Sequence, residues 1–185
     1  AVRVLARNGV DVLIPRGQGC CGGLALHVGA SRKARALARR NMRVFPTDVD
    51  ALITTAAGCG SGIREYSLLF GDARDSSLAS EFAARVRDVH VFLDDLGLRA
   101  PRGYADPPRL AYHDACHLAQ AQSITEAPRR LLQQVPELEL VQLDEVEMCC
   151  GSAGTFNIEQ TEIAGRLGAR KAAVVLRSGT AGLVS

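Results

Sequence analysis

Apolar residues along this chain fall into two kinds of stretch that alternate. There are short runs rich in Val, Ile and Leu, and longer segments in which apolar positions return every three or four residues. Residues 1–8 (AVRVLARN) have the helical spacing and stop at Gly9, which suits a helix C-terminus. Residues 10–14 (VDVLI) form a β-rich run ended by Pro15 and read as a buried strand. A glycine-rich loop over 16–23 leads to a helix over 29–43, with Ser31 placed to cap it. Residues 50–55 (DALITT) read as a second strand, 56–62 (AAGCGSG) as another loop and 63–70 as a short helix. Residues 76–96 carry Leu78, Phe82, Val86, Val89 and Leu93 at roughly helical spacing, which predicts one long amphipathic helix.

The stretch 97–108, with three prolines and two glycines, is the best linker in the chain. It predicts a first module over 1–98, a linker over 99–108 and a second module over 109–185. The second half repeats the plan of the first. Residues 109–113 (RLAYH) read as a strand leading into 114–117 (DACH), and 126–134 as a helix with Pro128 in its first turn. Residues 138–143 (LELVQL) read as a strand, 157–177 as a helix, and 181–185 (AGLVS) as the opening of a strand matching 50–55. Strands alternating with helices call for right-handed βαβ units around parallel strands. The expected fold class is therefore α/β: two homologous small modules, each with a short parallel sheet, flanking helices and functional loops at the carboxyl ends of strands.

Composition narrows this further. A hydrophobic content of 47% suits a packed core, and with no Trp and few aromatics that core is expected to consist of Ala, Val, Leu and Ile. A net charge of +2 gives no argument for a nucleic-acid or membrane surface. No apolar run reaches the 18 or more residues of a transmembrane helix, and no signal peptide is visible. Six cysteines without a secretion signal point to a reducing, cytoplasmic setting. Among the 22 basic residues only Lys33 and Lys171 are Lys, which reads as compositional bias.

The chemistry concentrates in a tripeptide that occurs twice, Cys20-Cys21-Gly22 and Cys149-Cys150-Gly151. Adjacent cysteines are poor disulfide partners, because Cα atoms about 3.8 Å apart fall short of the usual ~4.4–6.8 Å. Such a pair can instead aim two sulfurs at neighbouring points of one polynuclear cluster, with the glycine leaving room for a bulky core. Cys59 follows Cys21 by 38 residues, and Cys149 follows Cys116 by 33. If both halves copy one unit, the first copy's opening cysteine falls ahead of Ala1 and the second copy's closing one just past Ser185. The chain then reads as a fragment whose complete unit carries four thiolates, the number that holds a [4Fe–4S] cluster. Cys20, Cys21 and Cys59 are the candidate metal ligands of one site, and Cys116, Cys149 and Cys150 of the other.

The stretches GQGCCGGLALHVG, TTAAGCGSG, YHDACHLAQAQ and EMCCGSAGTFNI resemble the paired cysteine-rich (CCG) domains of glycolate oxidase iron–sulfur subunits. They are more distantly similar to the heterodisulfide reductase B subunit and to lactate-utilisation iron–sulfur proteins. The resemblance covers essentially the whole chain, and SAGT after the second CCG favours the glycolate oxidase branch. It implies an electron-transfer subunit of an oxidoreductase that does no bond chemistry on the hydroxy acid itself. An FAD-containing partner subunit takes the hydride from glycolate, and electrons pass through the iron–sulfur subunit to a quinone or similar acceptor. It also implies a cytoplasmic location, with peripheral association at the inner face of the membrane through the complex. Some heterodisulfide reductase relatives carry a C-x-x-C at Cys59, whereas this chain has Gly62 at the second position.

Several rival readings accompany these. Zinc is the chemical alternative, although its sites usually use C-x2–4-C pairs. Cys59 ahead of a helix could be a lone nucleophile, but no pattern supplies the general base a thiol enzyme needs. A disulfide-handling oxidoreductase module and a non-catalytic docking module are the alternatives at the level of function. His27, His113 and His117 are expected to lie around the cluster and tune it by hydrogen bonds rather than ligate it. His90 reads as a surface or packing residue. Asp114 reads as a turn former or a proton carrier, and Arg129, Arg130, Arg170 and Lys171 as a solvated face. The glycines of 56–62 match no nucleotide-binding pattern.

Overall fold

The computed structural model describes residues 1–185, which divide into two compact units, Ala1–Asp95 and Leu96–Ser185. The first contains helices α1 (Val2–Arg7), α2 (Gly23–His27) and α3 (Ser31–Val44), strand β1 (Leu52–Thr54), and helix α4 (Ala57–Arg64). A 3-10 turn (Tyr66–Leu69), α5 (Ala73–Ala84), β2 (Val86–Asp88) and α6 (Val89–Leu96) follow. The second contains β3 (Arg109–Tyr112), α7 (Cys116–Ala119), α8 (Glu126–Gln133), β4 (Glu139–Gln142), α9 (Phe156–Glu159), α10 (Thr161–Arg177) and β5 (Gly182–Val184). Both sheets are parallel, so the fold is α/β: β1 pairs with β2, and β4-β3-β5 is the order in the other.

In the first unit α3 presents Ala34, Ala38 and Asn41 inward. These small side chains let the neighbouring backbone come close. The core around them is more aromatic than composition suggested. Tyr66 stacks on Phe82 with ring centroids 6.0 Å apart, and Phe45 meets Phe82 edge-on at 5.8 Å. Leu52, Leu69, Phe70, Ala79 and Val86 complete the cluster. The second unit packs Ala111 of β3 and Leu143 against Val174 of α10.

The structure corrects four local expectations. Residues 76–96 are not one helix. Arg85 ends α5, and Val86–Asp88 pair with Leu52–Thr54 as a strand before α6 begins. Val86, Val89 and Leu93 are buried in either arrangement, so periodicity could not separate them. Buried Asp88 accepts the His90 amide at 2.8 Å and contacts its ring, opening α6 in the manner of an N-cap. Ser31, expected as a cap, is the first residue of α3 and caps nothing, because Ala30 stands at that place. The loop 56–62 is in fact mostly helix, since α4 starts at Ala57.

The fourth correction concerns residues 10–14, which form no strand and leave Leu13 and Ile14 each 63% exposed. Their counterpart by the Cys20-to-Cys149 offset is β4, and β1 corresponds to β5. In the second unit β3 stands between β4 and β5 and bonds to both. The position that corresponds to β3 by the same offset falls ahead of Ala1, so residues 10–14 have no strand beside them to pair with.

Candidate functional site

Each Cys-Cys-Gly turn is fixed by its glycine. Gly22 (φ +89°) and Gly151 (φ +83°) both sit in the left-handed region, where L side chains are strained. Both also press on a helix. A Cβ at Gly22 would lie 3.3 Å from the Ala34 carbonyl oxygen of α3, and one at Gly151 would lie 2.4 Å from that of Ala164 in α10. In this turn the Gly22 amide donates to the Cys20 sulfur at 3.4 Å and the Gly151 amide to the Cys149 sulfur at 3.3 Å. The Gly23 amide donates to the Cys21 sulfur at 3.4 Å. Such N–H···S contacts stabilise sulfur in its charged form.

The third cysteine of each group arrives from a helix that follows a strand. Cys59 is the third residue of α4, after β1, and Cys116 opens α7, after β3. The Cys59 thiol is hydrogen-bonded to Cys21 and lies within the field of Cys21 and Cys20. Burial first, then that hydrogen bond and the two neighbouring sulfurs, push its pKa up to about 11. Cys116 is likewise raised, by burial first, then by Cys149 and Cys150, and it shares a hydrogen bond with Cys149. The fold thus brings Cys20, Cys21 and Cys59 together, and separately Cys116, Cys149 and Cys150, all six as free thiols.

The histidines divide. His113 is buried and its Nδ1 has no partner. Its pKa is lowered, chiefly by burial and then by the charge of Lys171. His117 is half-buried on α7 next to Cys116, and His27 is exposed at the end of α2. Asp114 forms a two-pronged ion pair with Arg129, both distances 2.7 Å, and the Arg129 guanidinium lies 4.6 Å from the Tyr112 ring centroid. Arg129 is therefore a packing residue of this site, not part of a solvated face. Lys171 is also misplaced by that reading, being only 5% exposed. Arg170 fits it, pairing with Glu145 at the surface.

Sequence reasoning missed three residues that build these turns. Asn41 accepts the Gly19 amide and donates to the Cys20 carbonyl, both at 3.1 Å. Tyr66 donates to the Cys21 carbonyl at 2.7 Å and accepts from Asn41 at 3.3 Å. Burial is the main cause that pushes its pKa up to about 12. Lys171 donates to the carbonyls of Glu145 and Val146, at 2.8 and 3.2 Å, ahead of the second cysteine pair. A signal did exist: Asn41 and Lys171 each occupy an inward position of an otherwise apolar helical stripe.

The donor set suits a polynuclear cluster. Three neighbouring thiols resist joint deprotonation, as the raised Cys59 shows, and they become thiolates together only around a positive centre. No three His, Cys, Asp or Glu side chains are arranged to hold a single metal ion. Zinc sites usually use cysteines two to four residues apart, whereas an iron–sulfur cluster spreads its thiolates over separate irons. At Gly62 a Cβ would meet the Gly23 Cα at an ordinary 3.7 Å. Packing does not forbid a further thiol there; the sequence simply lacks one.

Residues 1–64 and 110–185 match the family described as the cysteine-rich domain, CCG, and the chain belongs to that family. Among similar proteins is the probable glycolate oxidase iron–sulfur subunit of Bacillus subtilis, 34% identical over 94% of this chain and 40% of its own length. Another is lactate utilization protein A of Geobacillus kaustophilus, 34% identical over 88% of this chain and 68% of its own length. A third is one of the subunits of the fumarate reductase (CoM/CoB) of Methanothermobacter marburgensis, 33% identical over 94% of this chain and 33% of its own length. The chain spans 40% of the first of these and about a third of several others. No helix is long and apolar enough to cross a membrane.

Proposed function

We propose that this chain is the paired cysteine-rich part of an iron–sulfur electron-transfer subunit in a glycolate (2-hydroxy acid) oxidase complex. Its FAD-containing partner subunits would take the hydride from the hydroxy acid, and a quinone-type acceptor would receive the electrons. The observation that carries the reading is the meeting of three thiols at each Cys-Cys-Gly turn, in two units of the same plan. Cys20, Cys21 and Cys59 would hold one cluster, and Cys116, Cys149 and Cys150 the other. A bound [4Fe–4S] cluster supplies one-electron transfer. The chain's own residues orient and tune. Gly22, Gly23 and Gly151 amides direct N–H groups at sulfur, and Asn41 with Tyr66 holds the first turn by its carbonyls. His113 keeps an unpartnered buried nitrogen three residues before Cys116.

The domain proposal follows the same lines: a module over 1–98, a linker over 99–108 and a module over 109–185. Similarity to the Bacillus subtilis protein favours glycolate as substrate, and the Geobacillus relative marks lactate as the competitor. The test is anaerobic reconstitution of the native-length protein with iron and sulfide. Broad blue-end absorbance with bound iron and labile sulfide is expected, bleached by glycolate only when the flavoprotein partner is present. A folded, colourless, iron-free protein would sink the reading in favour of a docking module.

A further inference from the structure

The two Cys-Cys-Gly turns rest on equivalent helices, and the equivalence extends to one buried polar residue in each. Ala34 of α3 lies under Gly22, and Ala164 of α10 lies under Gly151. Seven residues further along, two turns on and on the same face, stand Asn41 in α3 and Lys171 in α10. They are 2% and 5% exposed. Both hold the backbone that leads into a cysteine pair: Asn41 by the Gly19 amide and Cys20 carbonyl, Lys171 by the Glu145 and Val146 carbonyls. A cation also meets each loop three residues before the pair: the solvent-exposed Arg40 guanidinium donates to the Gly17 carbonyl at 3.0 Å, whereas Lys171 donates to the Val146 carbonyl from a buried position. At the buried position one helix offers a neutral amide and the other a whole ammonium.

That ammonium is unusual for its surroundings. Lysine is almost never buried unless a negative group compensates it. Here its hydrogen bonds go to carbonyls, and the Glu145 carboxylate is taken up by Arg170. Its two carbonyl partners lie four and three residues ahead of Cys149, and its charge helps lower the pKa of His113. Nearly every other basic residue of the chain is Arg, yet this enclosed place holds one of the two Lys.

We propose that Lys171 is a positioning residue that also makes the second cysteine site the more easily reduced of the two. This rests on the reading that each thiol group holds a cluster. Reduction adds one electron and therefore one negative charge, with no bond made or broken, and a fixed cation in a low-dielectric setting stabilises that added charge. At the first site the buried position holds the neutral Asn41, and the cation on that loop, Arg40, faces solvent, which screens its charge.

The test uses the reconstituted native-length protein, titrated with dithionite under spectroscopic and electron-paramagnetic-resonance observation. Lys171→Gln keeps a donor for the carbonyls and removes the charge, while Lys171→Arg keeps the charge. Expected is a fall of about tenfold in the reduction equilibrium constant of one cluster in Lys171→Gln, that is ~59 mV, with other clusters unmoved and Lys171→Arg close to wild type. Lys171→Gln protein with full iron and unshifted potentials would overturn the proposal. If wild type takes up no iron, the cluster reading fails, not the electrostatics. The His113 ring is then titrated by NMR in the iron-free chain, and the same measurement decides if only the Gln variant fails to load. A His113 pKa raised in Lys171→Gln and unchanged in Lys171→Arg supports the reach of the charge, and no change in either overturns it.

Discussion

Gly22 and Gly151 look interchangeable as letters, each the third residue of the same tripeptide, yet the structure ranks them. Both need the left-handed backbone, which costs an L residue roughly 1–2 kcal/mol. Only Gly151 also stands where a Cβ would overlap a backbone oxygen, at 2.4 Å from Ala164, and helix backbone does not yield easily. Gly22→Ala is expected to lower unfolding stability by about 1–2 kcal/mol, and Gly151→Ala by about 3 kcal/mol or more, with α10 displaced from the turn. Chemical denaturation of the two variants checks this, and equal losses would contradict the close approach at Gly151. The cysteines themselves were legible in the sequence. Asn41, Tyr66 and Lys171 were not, because hydrogen bonds to cysteine-loop carbonyls come from residues about 20 to 45 positions away.

At the scale of elements, β4 is bonded along its length to β3. Its bonded amides should exchange roughly a hundredfold more slowly than unbonded backbone, the factor given by a local opening free energy of about 3 kcal/mol. Unprotected β4 amides in hydrogen–deuterium exchange would contradict that ladder. The helical spacing across 76–96 misled because burial alone does not tell a helix from a strand. Val86 is buried whether it extends α5 or pairs with Leu52, and the choice falls to β1, whose edge Val86–Asp88 satisfy. By contrast α3, α8 and β3 to β5 were readable within a residue or two, since their patterns are local and their ends carry Gly or Pro punctuation.

For the molecule as a whole, the consequence is duplication. Each unit gathers its own three thiols, so damage to one site should spare the other. In reconstituted native-length protein, Cys59→Ser and Cys116→Ser are each expected to remove the iron of one cysteine-rich site and leave the other's. The double variant should lose both, as read by iron and sulfide content per chain. Loss of all iron from both sites in either single variant would argue for a single shared centre.

Sequence alone determined the α/β class, the repeated Cys-Cys-Gly motif and the spacing of the six cysteines, because cysteine spacing and strand–helix alternation are properties of the chain read in order. Tertiary structure decided which buried polar group supports each cysteine turn, and that one of them is charged. Those outcomes depend on which distant backbone comes to lie beside a side chain. Neither composition nor periodicity encodes that neighbour.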